Sequence, residues 1–178
     1  MIQNRIELVK LLPKDSVIAE VGVAEGLFSK QLLEAGVGRI YMVDNWEHIP
    51  SVTGDGNSPQ DWHDKNYQQA VDYVSSFGTR AKLLRGMSVD MAKNIADESL
   101  DMVYLDAGHF FDAVAADLNA WYPKLKRNGI MAGHDYLCTD YQVKQAVDWF
   151  INDLDTKPEV FVIPETHIND AGFYFIKP

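Results

Sequence analysis

Apolar residues arrive in short bursts, and the bursts alternate between two periods. Ser16–Gly22, Arg39–Asp44, Ala81–Leu84, Asp101–Leu105 and Gly129–Ala132 are brief runs rich in Val, Ile, Leu, Met and Tyr, bounded by polar or glycine positions. Such runs read as buried strands. Between them, apolar positions recur every three or four residues, which is the spacing of a helix with one buried face. Ile6, Val9 and Leu12 mark a helix over 4–12 that Pro13 stops. Leu27 to Ala35 forms the next, with Gly36 as its C-terminal stop. Tyr67, Ala70, Val71, Val74 and Phe77 mark a third, closed by Gly78. Ser88 caps a short helix to Ile95, and Asp112 opens one with Val114, Leu118, Trp121, Tyr122 and Leu125 inside. Val143, Val147, Phe150, Ile151 and Leu154 line the last. Val160–Ile163 and Phe173–Ile176 are closing strands, and residues 45–64 follow neither period.

Strand and helix in strict alternation predict an α/β fold with a seven-stranded, mostly parallel sheet and helices on both faces. Pro164 to Ala171 is too short a link for a helical crossover, so one of the final two strands runs antiparallel. No repeat or linker interrupts the pattern, and residues 1–178 read as a single domain.

Charge narrows the partners. The 178 residues carry 16 Lys and Arg against 26 Asp and Glu, a formal charge of −10 with no basic run. Such a surface repels phosphate backbones, so no nucleic-acid partner is expected. One cysteine, Cys138, allows neither an intrachain disulfide nor a cysteine zinc site, and is read as inert. No segment has the length of a membrane span, and the polar start lacks the apolar core of a signal peptide. The expectation is a cytoplasmic protein away from membranes.

In an open α/β sheet, ligands bind beyond the carboxyl ends of the strands. The polar residues there are Glu20 to Gly26, Asp44, Gly86 to Ser88, Asp106 to His109, and His134 with Asp135. Glu20-x-Gly22-x-x-x-Gly26 joins a strand to a helix. Its glycines permit a tight turn and close approach to the backbone. A dinucleotide turn has a middle glycine where this chain has Ala24, and Glu25 makes an anion less welcome. Glu20 suits a ligand with a cationic end. Asp44 ends the second strand, where an acid accepts ribose hydroxyls or simply caps the strand. Two strands each end in a carboxylate and an imidazole: Asp106 with His109, and His134 with Asp135.

Glu20–Gly26, Val43-Asp44, Gly86–Ser88 and Tyr104–Asp106 together resemble the class I S-adenosylmethionine-dependent methyltransferases. The stretch Leu105–Leu118, with Trp121 and Gly129–Tyr136, is similar to the group of macrolide sugar O-methyltransferases and cephalosporin hydroxylase-like proteins, distant relatives of catechol O-methyltransferase. The resemblance covers roughly residues 16–136 and implies a Rossmann-like sheet. It implies that Gly22, Ala24 and Gly26 hold the methionine part of S-adenosylmethionine. Glu20 would lie near its amino end, Asp44 at the ribose, and Met87 and Ser88 by the adenine, with Asp106 also near the cofactor. It implies Asp106, His134 and Asp135 as ligands of magnesium, His134 being the weakest because magnesium prefers oxygen. Catechol-type relatives place a lysine base where this chain has His109, and imidazole does that work near neutral pH.

The reading that results is O-methylation of a small hydroxylated molecule, a sugar or a phenolic. His109 and Asp106 would be the catalytic residues: a divalent ion on Asp106 and Asp135 would bind the acceptor oxygen and lower its pKa, and His109 would receive the proton. An S-adenosylmethionine-binding protein without transferase activity, a hydroxylase-like activity, N-methylation and a nicotinamide-dependent oxidoreductase stand as alternatives. His48, His63 and His167 read as solvated loop residues, and Trp121 and Trp149 as core. Trp46 and Trp62 bracket a loop, taken as 45–66, that reads as an acceptor-side lid; its Asp55, Asp61 and Asp64 read equally as solvated charge. With so little chain beyond the sheet, a second copy completing the acceptor pocket as a homodimer is also an expectation.

Overall fold

A computed structural model describes residues 2–52, 54–165 and 171–178. A 3-10 helix, Arg5–Leu11, precedes β1 (Val17–Val21), α1 (Leu27–Glu34) and β2 (Arg39–Asp44). Then come α2 (Gln60–Val74), β3 (Ala81–Arg85), α3 (Ser88–Ala92), β4 (Leu100–Leu105), α4 (Phe111–Trp121), β5 (Leu125–Gly133), α5 (Val143–Asp153), β6 (Phe161–Ile163) and β7 (Gly172–Ile176). Among the described residues these strands form one sheet in the order β3-β2-β1-β4-β5-β7-β6. Pairing is parallel from β3 through β5, while β7 runs antiparallel to both its neighbours, as the short link requires.

Strand alternation divides the core. Ile18, Ile40, Met42, Met102, Tyr104, Ile130 and Ala132 face the N-terminal 3-10 helix, α1 and α2. Ala19, Val21, Val43, Val103, Leu105, Met131, Phe173 and Phe175 face α3, α4 and α5. Period two on the strands and period 3.6 on the helices thus meet in two apolar layers. Burying both faces is why β1 and β4 read as near-continuous apolar runs.

Several expectations need correction. The first helix is 3-10, with Asn4 Oδ1 accepting from Glu7 N at 3.2 Å. Helix α2 begins at Gln60, a turn and a half or more before the first apolar marker, so the irregular stretch ends at Pro59. The residues Gln60–Asp64 are adequate helix formers but carry no apolar repeat. His63 is therefore a helical residue at 4% exposure, not a solvated loop histidine. Trp46 is buried and donates from Nε1 to Ala24 O at 2.8 Å, so it braces the glycine turn. Trp121 is core, but Trp149 is 46% exposed, covering Phe111 edge-on. Ser88 does not cap α3. It is the first helical residue, donates to Asp117 Oδ1 at 2.5 Å and accepts from Trp121 Nε1 at 2.9 Å. His167 lies outside the described residues.

Gly22 has φ +89°, and a Cβ built on it would lie 2.0 Å from the main-chain oxygen of Asp106. The glycine is there because the ends of β1 and β4 nearly touch. Gly22→Ala is expected to cost at least about 2–3 kcal/mol of stability, since backbone must shift to admit a methyl at an unfavourable φ. Urea unfolding followed by circular dichroism measures it; a midpoint equal to wild type would show that the two strand ends separate freely.

Candidate active site

The ladder of the sheet continues past its strands. Gly22 N donates to Val43 O, Asp106 N to Val21 O, His134 N to Leu105 O and Gly86 N to Asp44 O, at 2.7–3.1 Å. These bonds hold the first residue beyond each strand at one level. Glu20, Asp44, Asp106, His134 and Asp135 are thereby brought to one edge, as the sequence predicts.

The glycine turn is fixed by Asp44. Its Oδ2 accepts from Val23 N at 2.9 Å and Ala24 N at 3.0 Å, and its Oδ1 accepts from Trp46 N at 2.9 Å. A carboxylate offers about four acceptor sites. Three are taken, which leaves room for a hydroxyl of a ribose. Gly26 closes the turn at φ +81°, with the Cα of Ala70 only 2.9 Å from where its Cβ would be. Both glycines answer to neighbouring backbone as much as to a ligand.

Glu20 is buried beneath the turn and accepts a short hydrogen bond from Ser29 Oγ. Burial pushes its carboxyl up to about 8, with the Ser29 bond opposing and Asp106 adding to the rise. An acid held neutral by desolvation ionises when a cation is placed beside it. This is the behaviour expected of a carboxylate that receives an ammonium group.

At the ends of β4 and β5, two acids and two bases interlock. His109 Nε2 lies 3.1 Å from Asp135 Oδ2 and 3.7 Å from Asp106 Oδ1. His134 Nδ1 lies 3.3 Å from Asp135 and 3.9 Å from Asp106. Burial alone would lower the His109 imidazole, but the adjoining Asp106 and Asp135 carboxylates raise it to about 9. His134 is raised by the same neighbours against the same burial. Asp135 falls far below the ordinary carboxylate range, because the two imidazoles outweigh its burial. Asp135 also sits at φ +56°, a strained setting for a side chain, with its carbonyl accepting from Cys138 N. The ring of Tyr141 stacks on His109 at 4.4 Å, and Gln142 N donates to the His109 carbonyl. The cavity lined by Asp106, His109, Asp117 and His134 is about 10 Å³, room for little more than a water.

One oxygen each from Asp106 and Asp135 and one nitrogen from His134 lie within 4.8 Å of one another. That donor set fits a divalent cation, and its imidazole favours manganese, iron or zinc over magnesium. Sequence reasoning missed Arg5, Ser29 and Tyr141. Arg5 reaches Asp106 at 3.6 Å from the far end of the chain. Ser29, the polar neighbour of Phe28 on a helix face shared with Leu32 and Leu33, is a visible signal in retrospect. The other placements are less central. Met87 is 54% exposed, and Ser88 spends its hydroxyl on Asp117 and Trp121. A larger hollow, about 430 Å³, lies at the opposite edge by Leu12, Asp101 and Lys126. Asp101 there is committed to Val17 N and Lys126 Nζ, both at 2.8 Å.

A family model described as a methyltransferase domain matches residues 19–136. The curated protein y4gI of Sinorhizobium fredii (strain NBRC 101917 / NGR234), itself described only as uncharacterized, is 26% identical over 95 residues. That match takes in 53% of this chain and 10% of y4gI, so the chain spans about a tenth of its curated relative. Among solved structures, Streptococcus mutans SMU.1697c in complex with SAH superposes at a TM-score of 0.70, 15% identity and full coverage of both chains. The O-methyltransferase NovP superposes at 0.66, 20% identity, over 96% of this chain and 74% of its own. An rRNA methylase from Streptococcus thermophilus does so at 0.63, 14% identity, over 95% and 89%. At these identities the superpositions show a shared fold.

The buried acid yields a prediction. A pKa raised from 4.5 to about 8 means Glu20 stabilises the fold fully below pH 4.5 and loses that contribution as pH rises through 8. Glu20→Gln should therefore melt like wild type near pH 4 and be more stable at pH 9, by on the order of 2–5 kcal/mol. Equal melting temperatures at both pH values would show that Glu20 is ionised in the free protein.

Proposed function

Because this chain belongs to the methyltransferase-domain family, a class I S-adenosylmethionine-dependent group, we propose that it transfers a methyl group to an oxygen of a small hydroxylated molecule with help from a divalent cation. The observation that carries this reading is the cluster at the ends of β4 and β5: two carboxylates and two imidazoles, half-buried, beside the glycine turn. A methyltransferase needs its own base only where the acceptor must lose a proton, as a hydroxyl must. The net charge of −10 supports a small acceptor over a nucleic acid. The charge also separates this chain's expected acceptor from that of the rRNA methylase sharing the fold.

S-adenosylmethionine supplies the chemistry, a methyl group on a sulfonium that displaces readily. The chain's own residues bind, align and deprotonate. Gly22, Ala24 and Gly26 shape the turn on which the methionine part rests, Glu20 receives the ammonium and Asp44 a ribose hydroxyl. Met87, exposed at the end of β3, offers an apolar surface for the adenine. Asp106 and Asp135, with His134, hold the divalent cation. The positive charge lowers the pKa of an acceptor hydroxyl beside it.

His109 is the proton acceptor, under a condition. Paired with Asp106 and Asp135 it is imidazolium at neutral pH, with nothing to accept a proton. Were those carboxylates to hold a cation, His109 would lose the anionic neighbours that raise it and gain a repelling charge. Both changes lower its pKa. A cation held by Asp106, His134 and Asp135 would leave His109 neutral enough to serve as the base.

Calorimetric titration tests the assignment. S-adenosylmethionine should bind wild type, and Asp44→Asn should bind it at least about tenfold more weakly, a loss of one ribose hydrogen bond. Asp135→Ala should keep the cofactor affinity but lose manganese or magnesium binding. Absence of cofactor binding to wild type, with or without cation, would overturn the reading. Turnover offers a second check. With chelator, the rate should rise with pH through about 9, as His109 becomes neutral. With cation, the inflection should move to lower pH; an unmoved inflection would remove His109 from the base role.

A further inference from the structure

We propose that Arg5 anchors the carboxylate of the amino-acid end of S-adenosylmethionine while Glu20 takes the ammonium of the same end, so that the N-terminal segment is part of the cofactor site. This rests on the cofactor reading above and assigns a residue outside the 19–136 family match.

Arg5 opens the N-terminal 3-10 helix. Its guanidinium lies 4.6 Å over the ring of Phe28 and 3.6 Å from Asp106 Oδ2. Phe28 is followed by Ser29, the residue that holds Glu20. The cation and the buried carboxylate are thus set over adjoining positions in the first turn of α1. Among the charges acting on Glu20 are those of Arg5 and Asp106, so the three share one neighbourhood.

An α-amino acid carries an ammonium and a carboxylate on one carbon. A site that grips it needs an anion and a cation a few ångströms apart. Glu20 and Arg5 supply that pair beneath and beside the glycine turn, and Asp44 marks the nucleoside side of the same turn. Guanidinium also suits a carboxylate, because its planar fork can donate two parallel hydrogen bonds.

Arg5 is placed rather than loose. Leu8 in its helix is fully buried, Ile2 is buried, and Arg5 N donates to Glu165 Oε1 at 3.4 Å. Yet its side chain is one-third exposed and its contact with Asp106 is long. A partly solvated pair of this kind adds little to stability. The guanidinium can therefore pass from Asp106 to a ligand carboxylate without loss of the fold. The exchange would leave the Asp106 carboxylate to the cluster at the ends of β4 and β5.

The test compares ligands that differ in one group. S-adenosylhomocysteine has both charges; decarboxylated S-adenosylhomocysteine keeps the ammonium and lacks the carboxylate. Calorimetry on wild type, Arg5→Gln and Arg5→Lys, each with wild-type melting behaviour checked first, gives the affinities. Arg5→Gln should weaken S-adenosylhomocysteine by about tenfold or more and leave the decarboxylated ligand within about twofold, with Arg5→Lys between. An equal loss for both ligands would make Arg5 a packing residue and overturn the proposal. Unchanged or tighter binding in Arg5→Gln would overturn it too, the latter exposing Arg5 as a latch that competes with the cofactor. If wild type binds S-adenosylhomocysteine but Arg5→Gln shows no selectivity, this proposal alone falls. If wild type binds neither ligand, the cofactor reading falls first.

Discussion

The parallel pairing of β1 between β2 and β4 is the constraint on which the site depends. Glu20 stands level with Met42 and Tyr104, and Val21 with Val43 and Leu105. Three chain segments consequently leave the sheet at the same height. Their first free residues must share a small area whatever their side chains are. The sheet also hides both faces of these strands, so the edge is where their polar residues collect without a desolvation cost along the whole strand. Catalytic density at this edge is a consequence of topology before it is a matter of chemistry.

Acids gathered in this way repel one another, and the structure answers with basic groups drawn from separate elements. His109 comes from the loop after β4, His134 from the end of β5 and Arg5 from the start of the chain. Glu20 is treated differently: it has burial in place of a cation and stays protonated. The edge therefore holds an acid kept neutral, Glu20, and an acid kept ionised, Asp135, within a short span. Environments that push like groups apart in this manner divide binding from proton transfer.

Much of this was legible in the chain. The alternation of period-two and helical runs gives the strand order its raw material, and the short final link gives the antiparallel turn. The polar residues at strand ends name most of the site, because ends of parallel strands are where ligands bind. What was hidden lacked an apolar signature. Gln60–Asp64 is polar, so the true start of α2 could not be seen, and His63 was misread with it. Ser88 looks like a cap, but its hydroxyl is drawn to Asp117 and Trp121, long-range partners that no local pattern encodes. Arg5 is one arginine in an amphipathic stretch, and only the folded chain carries it to Asp106.

The glycines of the edge differ in what surrounds them, and that difference bears on how the sequence can change. Beside Gly108 the obstructing atom is the Cβ of Ala113, and beside Gly86 it is the flexible end of Met91. A smaller or shifted partner makes room at Gly108, so that glycine and its neighbour can vary as a pair, whereas Gly86, at φ +154°, is strained by any side chain whatever Met91 does. Beside Gly22 the obstructing atoms are the carbonyl of Asp106 and the amide nitrogen of Ala107. All residue types carry that carbonyl. No second-site substitution at 106 or 107 removes the clash, and a lineage that loses Gly22 regains the site only by reverting it.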